Sequence, residues 1–130
     1  MRLSIKTTKK EDLIDITYLV QEELIKNEFS SGMIFLSVPH TTCALLLNEY
    51  EKDLKEDFLN FFRMLKENEK ILCRHENSYS HIFSSIIGNQ ILIPFKEKKL
   101  ILGKWQRIIL CEFDGPRQRE LNLTFIKLDD

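Results

Sequence analysis

The stretch Val38–Asp57, VPHTTCALLLNEYEKDLKED, decides the fold expected for this chain. Its apolar run Cys43–Leu47 follows polar residues and predicts a short, buried strand. The next four residues have the N-x-x-E form of a capping box, in which Asn48 caps a helix and Glu51 reaches back to the cap. A buried strand that leads directly into a helix is therefore expected near the middle of the chain.

The predicted helix carries an acidic stripe, because Glu49, Asp53 and Asp57 recur every fourth residue and so share one face. Such a stripe is more often a solvated face than a catalytic pair, and both interpretations stay open. The neighbouring face is expected to enter the core and consists of Leu54, Phe58, Phe61, Phe62 and Leu65.

The composition predicts one globular domain over residues 1–130, since 43% of the 130 residues are hydrophobic. The formal charge of -1 gives no electrostatic case for a nucleic-acid or membrane partner. Three cysteines without C-x-x-C spacing predict reduced, buried thiols in a cytoplasmic protein. No apolar run approaches the ~18 residues of a membrane helix.

The remaining elements favour an α+β fold, with helices packed on a mixed, largely antiparallel sheet. A second capping box, Thr8–Glu11, predicts a helix whose apolar positions are Leu13, Ile16, Val20 and Leu24. A further helix is expected over His81–Ile87, before Gly88. The expected strands are Arg2–Thr7, Met33–Val38, Ile71–Cys73, Gln90–Pro94, Leu100–Leu102, Trp105–Phe113 and Glu120–Leu128, with a turn at Asp114–Arg117 between the last two.

The three histidines, His40, His75 and His81, fall in polar segments or at the starts of elements. Neutral imidazoles and a carboxylate such as that of Glu49 are suitable ligands for a divalent cation. The alternative is that each histidine is a surface residue or a helix cap, because no H-E-x-x-H signature is present. Gly-rich phosphate loops are also absent from the sequence.

Five strings occur in one order along the chain: HTTCALLLNE, NSYSH, ILIP, LGKWQ and CEFDGPRQR. Together they resemble the YjbQ-like family, whose members are described as secondary thiamine-phosphate synthases. The resemblance extends from Leu3 to Leu128. It implies a compact α+β subunit that assembles as a homotrimer, binds a small phosphorylated metabolite and contains no organic cofactor.

The resemblance also assigns residues. It implies catalytic roles for His40, Glu49, His81 and Arg117, and a divalent metal, Mg²⁺ or a transition metal such as Zn²⁺, on His40, Glu49, His75 and His81. The family's second acid on the helix corresponds to Asp57. The implied substrate-binding residues are Thr41, Thr42, Asn77, Trp105, Gln106, Glu112 and Arg117.

The implied reaction joins hydroxymethylpyrimidine diphosphate to thiazole phosphate and expels pyrophosphate. The departing diphosphate must be neutralised, which Mg²⁺ and the fork of Arg117 would do, while Trp105 and Gln106 would hold a pyrimidine. Two other functions stay open. One is a metal-dependent hydrolase or lyase acting on a small phosphorylated metabolite, and the other is a non-catalytic trimeric protein that binds an anion or metabolite.

Two geometric expectations follow for the folded chain. His40, His81 and Glu49 are expected to converge on one concave site, because strand-to-helix junctions carry them. Arg117 is expected to bind an anionic group of the ligand, since Pro116 fixes the backbone before it. The alternative for Arg117 is an ion pair with Glu112 or Asp114 within the chain.

Overall fold

Period-two apolar patterning produces most of the regular structure in the computed structural model, which describes residues 1–68 and 77–128. In chain order the elements are β1 (Arg2–Lys6), β2 (Asp12–Asp15), α1 (Thr17–Lys26), β3 (Gly32–Ser37), β4 (Cys43–Asn48), α2 (Lys52–Asn68), α3 (Ser78–Ile87), β5 (Gln90–Lys96), β6 (Lys99–Leu100), β7 (Arg107–Glu112) and β8 (Gln118–Lys127).

These strands form two antiparallel sheets, a five-stranded one in the order β1-β8-β3-β5-β6 and a three-stranded one in the order β2-β7-β4. The α+β class with antiparallel pairing is confirmed, but the strands divide between two sheets. Because β7 and β8 belong to different sheets, the segment between them, Asp114–Arg117, is a link across the fold and not a hairpin turn.

The first hydrophobic core lies between the two sheets and beside α1. Alternate residues of β3 and β8 enter this core from the five-stranded sheet. One face of the three-stranded sheet packs against them from the other side. Its fully buried members include Ile16, Val20, Leu24, Ile34, Leu36, Cys43, Ile108, Leu110 and Leu121.

The second core lies on the other face of the three-stranded sheet, under α2 and α3. In β7, Ile108 and Leu110 enter the first core while Ile109 and Cys111 enter the second, so this strand is buried on both faces. The two cores therefore share one sheet, and the described residues form one compact domain. Phe62, Phe83 and Phe113 pack together in this second core.

The helix predicted from Thr8–Glu11 does not begin there. Asp12–Asp15 is instead a strand, in which Leu13 pairs with Cys111 of β7. The helix begins at Thr17, whose backbone N–H donates to the Asp15 carboxylate at 3.0 Å. Long-range pairing with β7 therefore overrides the local capping signal.

The prediction that Asn48 caps the next helix is also wrong. Asn48 is the last residue of β4, where it pairs with Arg107. Glu51 caps α2 instead, because its two carboxylate oxygens accept from the N–H groups of Asp53 (3.0 Å) and Leu54 (2.9 Å). Of the residues predicted to enter the core from this helix, Phe61 is 52% exposed.

Cys43 and Cys111 are free and buried, as predicted, and burial raises the pKa of the Cys43 thiol to about 11. Cys73, His75 and the predicted strand Ile71–Cys73 lie outside the described residues. The expected strand Leu100–Leu102 contributes only Leu100, and the strand expected from Trp105 starts at Arg107. Among the described helices, none has the length and apolar character needed to span a membrane.

Candidate functional site

A cleft of about 730 Å³ opens where three connections meet at one end of the two sheets. The segment after β3, the start of α3 and the link from β7 into β8 each supply part of its wall. The residues that line it are Pro39, His40, Thr41, Thr42, Asn77, His81, Pro116, Arg117, Gln118 and Arg119.

Two arginines lie on the wall of this cleft, and each is paired with a carboxylate, Arg117 with Asp114 and Arg119 with Glu112. Within residues 1–68 and 77–128, the lining side chains include the two guanidinium groups of Arg117 and Arg119 and no carboxylate. The N-terminus of α3 also lies at the wall, since Asn77 is its N-cap residue and His81 lies in its first turn, and the helix dipole places partial positive charge there. This arrangement suits a small anion.

Arg119 is held by a buried network that spans the two sheets. Its Nε donates to Glu112 Oε2 at 2.8 Å, and its Nη2 donates to Glu112 Oε1. The same Nη2 also donates to Thr42 Oγ1, at a distance of 2.8 Å. Glu112 also accepts from Thr7 Oγ1 at 2.8 Å and from the Asp114 N–H at 3.0 Å. All the carboxylate's bonds are therefore to the protein itself.

This network keeps Glu112 ionised. Burial raises the pKa of the Glu112 carboxyl, but hydrogen bonds from Arg119, the Asp114 N–H and Thr7 outweigh burial and hold that pKa below its ordinary value. Glu112 is completely inaccessible to solvent. The expected direct contact between Glu112 and substrate is therefore wrong for this subunit, and the residue supports Arg119.

Asp114 collects a second set of donors at the edge of the cleft. It accepts from Lys10 Nζ at 2.7 Å, Asn77 Nδ2 at 2.8 Å and Arg117 Nη2 at 3.0 Å. Burial raises the pKa of the Asp114 carboxyl, but these hydrogen bonds hold it well below its usual range. Gly115 allows this corner to pack tightly, since a Cβ there would stand 2.1 Å from the Lys9 carbonyl oxygen.

Arg117 forms an ion pair with Asp114, which was one of the two partners in the alternative prediction for this residue. Besides its bond to the Asp114 carboxylate, its Nε donates to the Asp114 carbonyl oxygen at 2.8 Å. Its side chain nevertheless remains 53% exposed and faces the cleft. The anion-binding role of Arg117 stays a prediction.

His40 contributes a neutral imidazole. Its Nε2 accepts the backbone N–H of Glu120 at 2.8 Å, so the ring proton of the neutral form resides on Nδ1. Burial and the nearby Arg119 guanidinium lower the pKa of His40. With Nε2 occupied in this way, His40 is arranged as a hydrogen-bond donor and not as a metal ligand.

His81 lies with His40 at the cleft, as expected, and the two residues also share an adjoining recess of about 280 Å³. Thr41 is exposed and lines both spaces, whereas Thr42 is buried and accepts from Arg119. The structure therefore brings together six predicted site residues: His40, Thr41, Thr42, Asn77, His81 and Arg117.

Glu49, Trp105 and Gln106 do not join this group. β4 and β7 run antiparallel, with Cys43 opposite Glu112 and Asn48 opposite Arg107, so these three residues flank the far ends of both strands. A strand of this length spans ~20 Å. The expected convergence of Glu49 with the histidines within one subunit is therefore wrong. Asp57 is exposed on α2 and does not line the cleft.

Trp105 is 62% exposed, and its ring receives the Lys104 ammonium at 4.9 Å from the centroid. Gln106 closes its own loop by accepting the Gly103 N–H at 2.8 Å. Neither side chain faces the cleft of its own subunit.

No group of three or more His, Cys, Asp or Glu side chains suited to a metal ion occurs within residues 1–68 and 77–128. His75, one of the four implied ligands, lies outside these residues, and Glu49 is remote from the histidines. The described donor set therefore does not fit the metal site that the resemblance implies.

Sequence reasoning missed Arg119, although a signal was present. Arg119 occupies the same face of β8 as Leu121 and Leu123, which are core residues, so the alternating pattern places a charge on the buried face. Arginine is almost never fully buried unless it is paired. A charged residue in register with core positions therefore indicated that Arg119 is buried and paired, although it did not identify Glu112 as the partner.

Comparison with known proteins gives matches along nearly the whole chain. A family model described as UPF0047 protein YjbQ-like matches residues 1–128. A UPF0047 protein of Archaeoglobus fulgidus is 39% identical over 125 residues, which cover 93% of this chain and 96% of that relative. The UPF0047 protein YugU of Bacillus subtilis is 41% identical over 120 residues, which cover 90% and 91% of the two chains.

Solved structures share the same architecture. An uncharacterized conserved protein of the YjbQ/UPF0047 family from Clostridium acetobutylicum superposes with a TM-score of 0.90 at 34% identity, covering 97% of this chain and 99% of that one. A hypothetical protein from Aeropyrum pernix gives a TM-score of 0.89 at 35% identity, covering 98% of both chains.

Proposed function

We propose that this chain, which belongs to the YjbQ-like UPF0047 family, binds a small phosphorylated metabolite in the cleft lined by Arg117 and Arg119. We further propose that it acts as a thiamine-phosphate synthase-like transferase, which joins hydroxymethylpyrimidine diphosphate to thiazole phosphate and releases pyrophosphate.

One observation carries the binding proposal: among the described residues that line the cleft, two are arginines and none carries a carboxylate. A guanidinium matches the geometry of phosphate oxygens and presents two parallel N–H donors to them. The positive end of α3 adds to the same field. A diphosphate would find positive charge and N–H donors here, and the nearby carboxylates of Glu112 and Asp114 are already bonded to the protein.

The transferase proposal depends on stabilising a leaving group. During the reaction the carbon–oxygen bond to the diphosphate breaks, and the thiazole nitrogen forms a new bond to that carbon. Negative charge then accumulates on the departing pyrophosphate. Arg117 and Arg119 would bind this charge more strongly in the transition state than in the substrate, and His40 would donate from Nδ1 to an oxygen of the ligand.

A bound divalent metal would supply further charge for the diphosphate. The described residues do not provide its protein ligands, so no step is assigned to it. The metal-dependent hydrolase or lyase is less well supported for the same reason. Metal analysis of the purified protein, followed by chelation, measures whether a metal is retained.

The test is a turnover assay with both thiamine precursors, in which thiamine phosphate and pyrophosphate are measured together. The expected result is equal production of the two, with Arg117→Met reducing the rate and Arg63→Met, on exposed α2, leaving it unchanged. If pyrophosphate binds but no turnover occurs with or without added metal, the transferase proposal is wrong and the non-catalytic binding protein is supported. If pyrophosphate does not bind, the cleft proposal is wrong as well.

We also propose that the chain forms a homotrimer through the outer face of the five-stranded sheet. This face is apolar at its centre, where Phe35 pairs with Leu92, and Met33 pairs with Pro94 and Ile126. Leu92 is 52% and Ile126 is 43% exposed. Apolar side chains in register across three strands are typical of a surface that a partner covers.

A further inference from the structure

Arg119 combines two properties that seldom occur together. The residue is only 3% exposed, yet it lines the cleft. Burial of a guanidinium is costly unless its charge is paired and its N–H groups are bonded. Glu112 meets the first requirement, because it is completely buried and contacts the guanidinium with both carboxylate oxygens.

The requirement that every N–H group of the guanidinium be bonded is met only in part. Nε is engaged with Glu112, and Nη2 is engaged with Glu112 and Thr42. Within residues 1–68 and 77–128, Nη1 makes no hydrogen bond to the protein. The N–H groups of Nη1 are therefore the donors of Arg119 that remain for a ligand in the cleft.

The ion pair is also oriented. Arg119 lines the cleft and Glu112 does not, so the positive end of the pair is turned to the cleft and the negative end to the interior. Because Glu112 and Thr42 fix the guanidinium, it loses little conformational freedom when an anion binds. Arg117 differs, since its side chain is 53% exposed and its charge is shared with Asp114.

We propose that Arg119, and not Arg117, is the principal anion-binding residue of the cleft, and that Glu112 is its positioning residue. This inference rests on the proposed function, because it identifies which residue binds the phosphate or diphosphate group. Arg117 is then an outer contact that adds charge but little geometric specificity.

The test is isothermal titration of the full chain with inorganic pyrophosphate. Arg119→Lys keeps the buried charge but loses the fork, and we expect its affinity to fall about tenfold to hundredfold, the value of a charged hydrogen bond. Arg117→Lys is expected to lose less than about tenfold. Arg63→Lys, at an exposed position of α2 that does not line the cleft, serves as the matched control and is expected to retain the wild-type affinity.

A double variant, Arg119→Met combined with Glu112→Gln, keeps the test decisive if Arg119→Lys does not fold. It removes both buried charges together, which proteins tolerate better than loss of one, and the glutamine can still accept the Asp114 N–H that Glu112 accepts now. Circular dichroism establishes that each variant is folded. The expected result is loss of pyrophosphate binding at every concentration at which the wild type is saturated.

The outcomes separate this inference from the proposed function. Wild-type protein that does not bind pyrophosphate overturns both. Wild-type binding that persists unchanged in folded Arg119→Lys and in the double variant overturns the assignment of Arg119 alone, and leaves the cleft as an anion site served by Arg117.

Discussion

Glu112 and Arg119 belong to different sheets, and the ion pair between them joins the end of β7 to the start of β8 at the wall of the cleft. The same contact therefore contributes to the stability of the fold and to the geometry of the site. Variants of the two residues can therefore be compared both for stability and for anion binding.

Glu112→Leu should destabilise the protein strongly, because it leaves the Arg119 charge buried without a partner. The expected loss in the free energy of unfolding is ~3–5 kcal/mol, measured by urea denaturation. The matched control is the double variant Glu112→Leu with Arg119→Met, which should lose much less. Equal losses for the single and double variants would contradict the buried-pair explanation.

Stability should fall in acid through Asp114. Its folded-state pKa is depressed, so the stabilisation is present above the unfolded value of about 3.9 and is lost as pH falls below it. Asp114→Asn should therefore be less stable than wild type near pH ~7, and the difference should shrink toward pH ~3. Urea denaturation at both pH values measures this. A difference that does not change with pH would show that the carboxylate charge contributes nothing.

Arg117→Lys should keep the fold and lower the melting temperature slightly. Its pair with Asp114 is half exposed, and an exposed pair contributes ~0.2–1 kcal/mol. Thermal denaturation and pyrophosphate titration of the same variant give the two values needed. An affinity loss of a hundredfold would assign Arg117 the principal anion contact instead.

His40 should be neutral, with its proton on Nδ1, throughout the neutral pH range. Its Nε2 accepts the Glu120 N–H, and burial and the Arg119 charge lower its pKa below the ordinary value of about 6.5. Nitrogen-15 NMR of the imidazole distinguishes the two tautomers and follows the titration. Observation of the Nε2–H tautomer, or protonation above the ordinary pKa, would contradict this arrangement.

The assembly should be a trimer at micromolar concentration, and light scattering after size-exclusion chromatography measures its mass. Leu92→Glu places a charge at the centre of the proposed apolar face and should shift the protein toward monomer. Tyr18→Glu, at a position on α1 that is 71% exposed, is the matched control and should leave the mass unchanged. A monomer mass for the wild-type protein would contradict the proposed trimer.

Sequence reasoning succeeded where local patterning and tertiary packing agree. The expected strands Met33–Val38 and Glu120–Leu128 are present as β3 and β8, and the apolar run before Asn48 is present as β4. It failed at Thr8–Glu11, because the spacing of Leu13 and Ile16 fits one helical face, whereas Leu13 enters the second core from β2 and Ile16 enters the first. Pairing of β2 with a strand about a hundred residues away has no local signature.

The candidate site shows the same division. The histidine and arginine strings marked one end of the molecule. The expectation that strand-to-helix junctions bring their side chains together grouped Glu49 with His40, although the full length of β4 separates them. The Glu112–Arg119 pair depends on two sheets meeting, which no local pattern expresses.

The position of β7 between two cores also has a kinetic consequence. Its central amides are bonded to β2 on one side and β4 on the other, and both of its faces are covered. Water reaches such amides only when the whole domain opens. In deuterated solvent, the N–H groups of Ile109 and Leu110 should therefore be among the last to exchange, at a rate that reports global unfolding.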